Sequence, residues 1–250
     1  MPADVRITHI GGPTALIEVA GLRLLTDPTF DAPGRRYSFG WGSASHKTGG
    51  PALEVSDLPP IDAVLLSHDQ HGDNLDDAGR AMLPSAAVVL TTASGAARLG
   101  GNAIGLRPWE TYVLTGTSPV KVTATPARHG PPLSRPITGE VTGFALAAPG
   151  GTVWVSGDTV LYDGVRQVAD RIDVDVAVIH LGAVRFGITG PIRYTMTARE
   201  AATLMDLIKP RAIVPVHYEG WGHFHEGRPA IESAFGDRVT WLTPGKPQQI

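Results

Sequence analysis

The residues best able to do chemistry fall in one short stretch: His68, Asp69, Gln70, His71, Gly72, Asp73, Asn74, Leu75 and Asp76. It holds two imidazoles and three carboxylates. Neutral imidazole and carboxylate are the ligands that suit zinc and its first-row neighbours. The stretch follows Ala63 to Leu66, an apolar run with the length and composition of a buried strand. A strand that ends by delivering two His and several Asp to one small loop reads as part of a metal site. The plainer reading is a polar loop between strand and helix, with Asp73 or Asp76 as a helix cap. The metal reading needs further ligands from elsewhere in the chain.

Other apolar segments also end on such groups. His129 follows Val120 to Thr125 and precedes Gly130 and Pro131. Asp158 follows Thr152 to Val155 through Ser156 and Gly157, where glycine allows close approach of the backbone. His217 ends Ala212 to Val216, and His180 ends Val174 to Ile179. Each alone reads as a loop His or a turn Asp. Together they are hard to explain by core packing, and ligands at strand ends are the normal arrangement on layered α/β folds. The loops beyond carry Arg185, Arg193, Tyr194, Trp221, His223, Phe224 and His225. An Arg or His there suits an anionic substrate group such as phosphate or carboxylate. Ordinary surface and packing roles are the alternative for each. The Trp221 to His225 run is best placed, since it begins four residues after His217.

These groups need elements to position them. Val5 to Ile10, Thr14 to Val19 and Leu22 to Leu25 alternate around Gly turns and read as a β-meander. It ends at Asp27, before Pro28, which either orients a nearby ligand or is a turn residue. Residues 31–60 form a long segment rich in Gly, Pro and aromatic residues, expected either to flank a substrate pocket or to pack on the surface. His46 within it is expected to be exposed. An alternating βαβ pattern follows: a helix over 75–83, a strand over 86–91, a helix over 93–99, and strands over 104–106, 111–114 and 120–125. A hairpin over 141–155 and a helix over 161–171 come next. Thr197 to Ile208 is an amphipathic helix in which Thr197 and Glu200 form a capping box. A helix over 226–235 and a strand over 238–242 are expected to close the fold. Both halves run from strands to βα units, a hint of an internal repeat.

Composition sets the bounds. The chain of 250 residues is long enough for a sizeable core and is read as one domain over 1–250. A formal net charge of −3 and scattered Arg and Lys argue against nucleic acid and against a polybasic membrane patch. No cysteine is present, so any transition-metal site must use His, Asp, Glu or Asn. The same absence fits the cytoplasm. No secretory signal is legible at Met1 to Arg6, and no apolar run approaches the roughly 20 residues of a membrane span.

As a set, Ile7 to Gly12, Leu25 to Pro28, the 68–76 stretch, His129, Ser156 to Thr159 and Pro215 to Tyr218 resemble the metallo-β-lactamase superfamily. The likeness is to its group of metal-dependent hydrolases that includes ascorbate-6-phosphate lactonase and N-acyl-phosphatidylethanolamine phospholipase D. The resemblance implies a four-layer αββα sandwich with a metal site at one edge. The family's hallmark, His-x-His-x-Asp-His, is altered here. One extra residue separates His68 from His71, and Asn74 stands where the last His belongs. Matched from the right, the resemblance implies one metal on His68, His71 and His129, and a second on Asp73 and His217, with Asp158 bridging. Gln70 is the lesser alternative to His71. Asn74 is a poorer donor than imidazole, so the second site is expected to bind more weakly, to take Mn, or to stay empty. One or two Zn per chain, with Mn as an option, are the implied cofactors.

The implied mechanism is hydrolysis. Metal lowers the pKa of a bound water from about 16 to near 7, and the resulting hydroxide attacks a carbonyl or phosphorus centre. Asp73 would accept or orient the water's proton, His180 would sit near the pocket or donate a hydrogen bond, and Asp69 would support a ligating His. Arg193, Tyr194, Trp221 and His223 would bind substrate. The expected function is a hydrolase of an ester-like, lactone or phosphodiester bond in a small molecule, with an anionic substrate and an oligomeric state both left open. The alternative is a metal-poor, weakly catalytic relative that binds a small ligand.

Overall fold

The structure, a computed structural model, describes residues 4–250. The part of the signal-peptide reading that rests on Met1 to Ala3 lies outside them. Strands β1 (Val5–Gly11), β2 (Thr14–Val19) and β3 (Leu22–Thr26) form the expected meander. The long segment after it contributes a small hairpin, β4 (Arg36–Ser38) and β5 (Ala44–His46). Then come β6 (Ala63–Leu65), α1 (Asp77–Met82), β7 (Val88–Thr92), α2 (Ala93–Leu99) and β8 (Ala103–Leu106). The second half contains β9 (Thr111–Leu114), β10 (Val120–Pro126), α3 (Arg135–Thr138), β11 (Thr142–Ala148), β12 (Gly151–Val155) and α4 (Asp163–Arg171). It closes with β13 (Val176–His180), α5 (Ala198–Ile208), β14 (Ala212–Val216), α6 (Arg228–Phe235) and β15 (Gln248–Gln249).

Two mixed sheets result. The first has the order β15-β1-β2-β3-β6-β7-β8, and the second β14-β13-β12-β11-β10-β9. Each combines an antiparallel set with a parallel set, which gives the suspected repeat physical form. The alternation of apolar side chains along the strands separates three cores. Ile7, Ile17, Leu24, Leu65 and Leu90 of the first sheet meet Val122, Phe144, Leu146, Val178 and Val214 of the second. On the outer face of the first sheet, Leu25, Val64 and Leu66 pack on Leu75 and Met82 beside α1. On the outer face of the second, Trp154, Ala177 and Ile179 pack on Val165, Leu204 and Phe235 of α4, α5 and α6. The layers therefore run helix, sheet, sheet, helix, as an αββα sandwich.

One expected element differs. Residues 238–242 make only an isolated bridge, Val239 to Ile213, and the closing strand is β15, paired with Arg6 and Ile7 of β1. The run at 238–242 lies beyond β14 at the sheet edge, where one bridge replaces a ladder.

The segment over 31–60 is tied down by Asp76. This carboxylate caps α1 by accepting from Gly79 N at 2.9 Å. It also accepts from Phe30 N at 2.9 Å, from Asp31 N at 2.7 Å and from Lys47 Nζ at 2.8 Å. Lys47 and Asp76 are both buried, so the pair joins the loop to the start of the helix behind the central stretch. Removing one partner leaves the other charge buried and uncompensated. Asp76→Ala is expected to lower unfolding stability by about 3–5 kcal/mol, read from the midpoint of urea denaturation.

Candidate metal centre

Strands that run in the same direction bring their carboxyl ends to one edge. β6 leads into His68, His71 and Asp73. β10 leads into His129, β12 into Asp158 and β14 into His217, while β13 ends on His180. Gly157 makes the Asp158 turn possible. Its φ is +60°, and a Cβ there would meet the Thr142 carbonyl oxygen. His217 itself sits at φ +57°, a left-handed conformation that costs energy in a residue with a Cβ.

Two groups of donors form. His68, His71 and His129 make one, and Asp73, Asp158 and His217 the other, all of them buried. Nε2 of His68 lies 3.0 Å from Nδ1 of His71, and Nε2 of His129 lies 3.2 Å from the same atom. The Nδ1 of His129 is 2.8 Å from the Tyr194 carbonyl oxygen and donates to it, which turns the Nε2 lone pair of that ring into the cluster. One proton on His71 cannot serve both neighbours well. Three nitrogens around a tetrahedral ion with bonds of 2.0–2.1 Å would be about 3.3–3.4 Å apart, close to what is seen.

The second group is marked by unmet need. Asp73 Oδ1, both carboxylate oxygens of Asp158 and Nε2 of His217 are buried without a hydrogen-bond partner among the described residues. Nε2 of His217 stands 3.4 Å from an oxygen of each Asp. Buried polar atoms without partners are rare and expensive. A divalent cation held by each donor group answers both observations, so the residues fit the metal.

Protonation follows burial and charge. Burial, then the facing His71, pushes His129 down to about 3. Burial likewise holds His68 well below its usual value and lowers His71. Burial opposes a charge on His217, but Asp158 and Asp73 outweigh it and raise the imidazole to about 9. Burial lifts Asp158 to about 6, against the pull of His217. Burial would also lift Asp73, but the neighbouring imidazoles of His217 and His223 hold it well below the carboxylate range.

Supporting groups lie directly behind. Asp27 accepts from Ser67 N at 2.6 Å and from His180 Nε2 at 3.0 Å, and it stands 3.4 Å from the amide nitrogen of Asn74. Its side chain thus braces Ser67, His180 and Asn74, groups adjoining the donors. His180 is fully buried, donates from Nε2 to Asp27 at 3.0 Å, and its ring lies 5.6 Å from that of His217. Asn74 turns its amide nitrogen to Asp27 and Ser67, while its oxygen has no partner. Gln70 is exposed and stands over Gly139. The extra residue of the motif is thus accommodated by an outward bulge, and His71 keeps the inward position. Asp69 does not support a His. It forms a two-pronged pair with Arg98 of α2, at 2.5 and 2.9 Å.

The residues expected to bind substrate separate. Tyr194 lines a cavity of about 440 Å³ together with Phe39, Trp41, Ile137, Phe186 and Ile192, and His71 and His129 form part of its wall. The 31–60 segment does flank the pocket, through Phe39 and Trp41, and His46 is exposed. Arg193 is not there. It is exposed and paired with Glu200 at 2.8 Å, because the capping carboxylate of α5 draws it away. Trp221 is buried in an aromatic group with Tyr37 and Phe39, so it packs the loop and does not line this cavity. His223 is buried, donates from Nε2 to Asp73 Oδ2 at 2.9 Å, and stacks on Phe186 at 4.9 Å. It touches a donor carboxylate rather than the cavity. Sequence reasoning missed the basic wall on the other side of His129. Arg107, Arg128 and Arg135 line a second cavity of about 180 Å³ that shares His129 and Thr138 with the first. The dipeptide Arg128-His129 was its one visible sign.

The fold agrees with known proteins. A family described as "Beta-lactamase superfamily domain" matches residues 22–218, so the chain belongs to the metallo-β-lactamase superfamily. Within it the chain is a metal-dependent hydrolase. A UPF0173 metal-dependent hydrolase from Pyrobaculum neutrophilum is 30% identical over 227 residues, 86% of this chain and 84% of that protein. One from Deinococcus radiodurans is 32% identical over 205 residues, 79% of this chain and 83% of that protein. Among solved structures, an isothiocyanate hydrolase from Delia radicum gut bacteria shares the fold with a TM-score of 0.82 at 20% identity, covering 98% of each chain. A possible metal-dependent hydrolase from Veillonella parvula gives 0.83 at 18%, covering 99% of this chain and 100% of that one.

Partners that orient metal ligands typically change affinity 10–100-fold when altered. Asp27→Asn is expected to weaken binding of Zn or Mn by that factor, read by titrating metal-free protein. Unchanged affinity would remove Asp27 from the site.

Proposed function

We propose that this chain, acting as one domain over residues 1–250, hydrolyses an ester-like or lactone bond in a small, largely apolar molecule. His71 and His129 of the first donor group form part of the wall of a largely apolar cavity, and the second group, buried nearby, carries unmet lone pairs; that single arrangement carries the reading. His68, His71 and His129 would hold one ion, and Asp73, Asp158 and His217 a second, with Asn74 a neutral onlooker whose oxygen remains available. Zn is the preferred ion at the all-imidazole group, and Mn suits the carboxylate-rich one. When bound, such ions supply Lewis acidity and make hydroxide available at neutral pH.

The chain's own groups do the rest. Asp73, its Oδ2 held by His223, orients the attacking water. Phe39, Phe186 and Tyr194 hold the substrate body and exclude bulk water. No Lys or Arg lines this cavity, so a neutral carbonyl-type electrophile is favoured over a phosphodiester. The carbon of an isothiocyanate, the substrate named for one protein of this fold, belongs to the same neutral class. An anionic substituent would meet Arg128 and Arg107 beside His129 rather than Arg193. No helix among the described residues is long and apolar enough to cross a membrane. A cytoplasmic location is part of this proposal, resting on the absence of cysteine.

The test is elemental analysis of the purified protein, with turnover of a lactone panel, p-nitrophenyl esters, a small aryl isothiocyanate and bis-p-nitrophenyl phosphate. About two ions per chain and turnover of a neutral electrophile are expected. His129→Ala should lose the first ion and nearly all hydrolysis, and full retention of both would break the ligand assignment. No metal and no turnover after reconstitution would leave the ligand-binding alternative.

Binding at the two centres should depend differently on pH. His217, raised to about 9, must lose its proton to ligate, so affinity at the second centre should rise about tenfold per pH unit up to that value. His129, lowered to about 3, has none to lose, and His68 and His71 are lowered as well, so the first centre should be flat across neutral pH. Calorimetric titrations in buffers of different ionisation heat, at pH 7 and 8, would separate the two.

A further inference from the structure

Large apolar side chains are left exposed at few places, and most of those gather at one opening. Trp41 is 75% exposed and Ile188 67%, and both line the 440 Å³ cavity with the exposed Ile137 and Ile192. Leu133, on the segment before α3, is exposed as well. Three separate stretches supply them: the tip of the β4–β5 hairpin, the chain leading through α3, and the turn over residues 187–192. The hairpin tip meets the turn, since a Cβ at Gly42 would stand 3.2 Å from Cδ1 of Ile188, and Ile137 of α3 lines the same cavity.

Two of these residues are also displayed at a conformational cost. Trp41 has φ +51° and Leu133 φ +70°, in the left-handed region that bulky residues avoid. Backbone strain of this kind clusters at ligand clamps and active sites. An exposed apolar patch marks a binding groove or an interface. The occupant here follows from continuity: the collar is the outer rim of the cavity whose wall carries His71 and His129.

We propose that this collar receives an apolar substituent of the substrate, an alkyl chain or aryl group that extends out of the cavity from the bond cleaved beside His71 and His129. The inference rests on the hydrolase reading above. It makes the substrate class a hydrophobic ester or lactone, gripped by Trp41 and Ile188 over the part that does not react.

The experiment uses the metal-loaded full chain and two chain-length series. One is hydrolysis of p-nitrophenyl esters from acetate to decanoate, read as kcat/KM. The other is calorimetric binding of n-alkyl carboxylates from butanoate to decanoate, which needs no turnover. Each added methylene buried should gain about three- to fourfold in either series. Combining Trp41→Ser with Ile188→Ser should flatten both slopes to less than about twofold per methylene. Val113→Ser and Leu207→Ser, exposed apolar sites elsewhere, should leave the slopes intact. A flat response in the unaltered protein, or slopes that survive loss of both collar residues, overturns the proposal. So does a dimer that Trp41→Ser dissociates with the slopes unchanged, which would make the collar an interface between copies. A carboxylate slope with no turnover of any ester or lactone sustains the collar and refutes the ester-or-lactone reading. Ester turnover with flat slopes does the reverse.

Discussion

The structure depends on one electrostatic constraint: a set of lone pairs and carboxylates sealed from water with nothing among the described residues to satisfy them. Asp158 is fully buried with neither oxygen hydrogen-bonded, and His217 directs an unpartnered nitrogen between it and Asp73. In a low-dielectric interior such groups repel and carry a desolvation penalty that dispersion cannot offset. Divalent charge is the natural compensation. Burial raises Asp158, and the facing carboxylates raise His217, so that bound protons would relieve the same stress.

Holding these groups in place calls for rigid backing, and carboxylates placed one step further back supply it. Asp27 links Ser67, beside the first ligand, to His180 on the opposite sheet. Asp76 links the helix that follows the central stretch to the long aromatic segment through Lys47. The carbonyl oxygens of Tyr194 and Leu181 fix which nitrogen of His129 and of His217 turns inward. The two sheets thus share a polar joint at one edge and an apolar core everywhere else, and each limits the freedom of the other.

The surroundings divide chemically across His129. One side is aromatic and aliphatic, from Phe39, Phe186 and Ile192. The other carries guanidinium groups, from Arg107 and Arg128. A neutral electrophile with a hydrophobic body suits the first side, and a polar or anionic group suits the second. The two sides are built by loops around the donors, as is usual where one scaffold serves many reactions.

Much of this was legible in the residues themselves. Apolar runs of strand length ending on His or Asp singled out His68, His71, Asp73, His129, Asp158 and His217 as candidates, because strand period, glycine turns and ligand chemistry are local properties, while their division into two donor sets came from the family resemblance. The capping box of Thr197 and Glu200 was readable for the same reason. Tertiary structure alone decided the pairings between distant residues. His180 meets Asp27 across 153 positions, and His223 meets Asp73 across 150. It also turned Gln70 outward, gave Arg193 to Glu200, buried Trp221 in packing and closed the first sheet with Gln248–Gln249 instead of residues 238–242. Sequence spacing constrains what a residue can be, but which partner it finds depends on which surfaces the two sheets bring together when their apolar faces are buried.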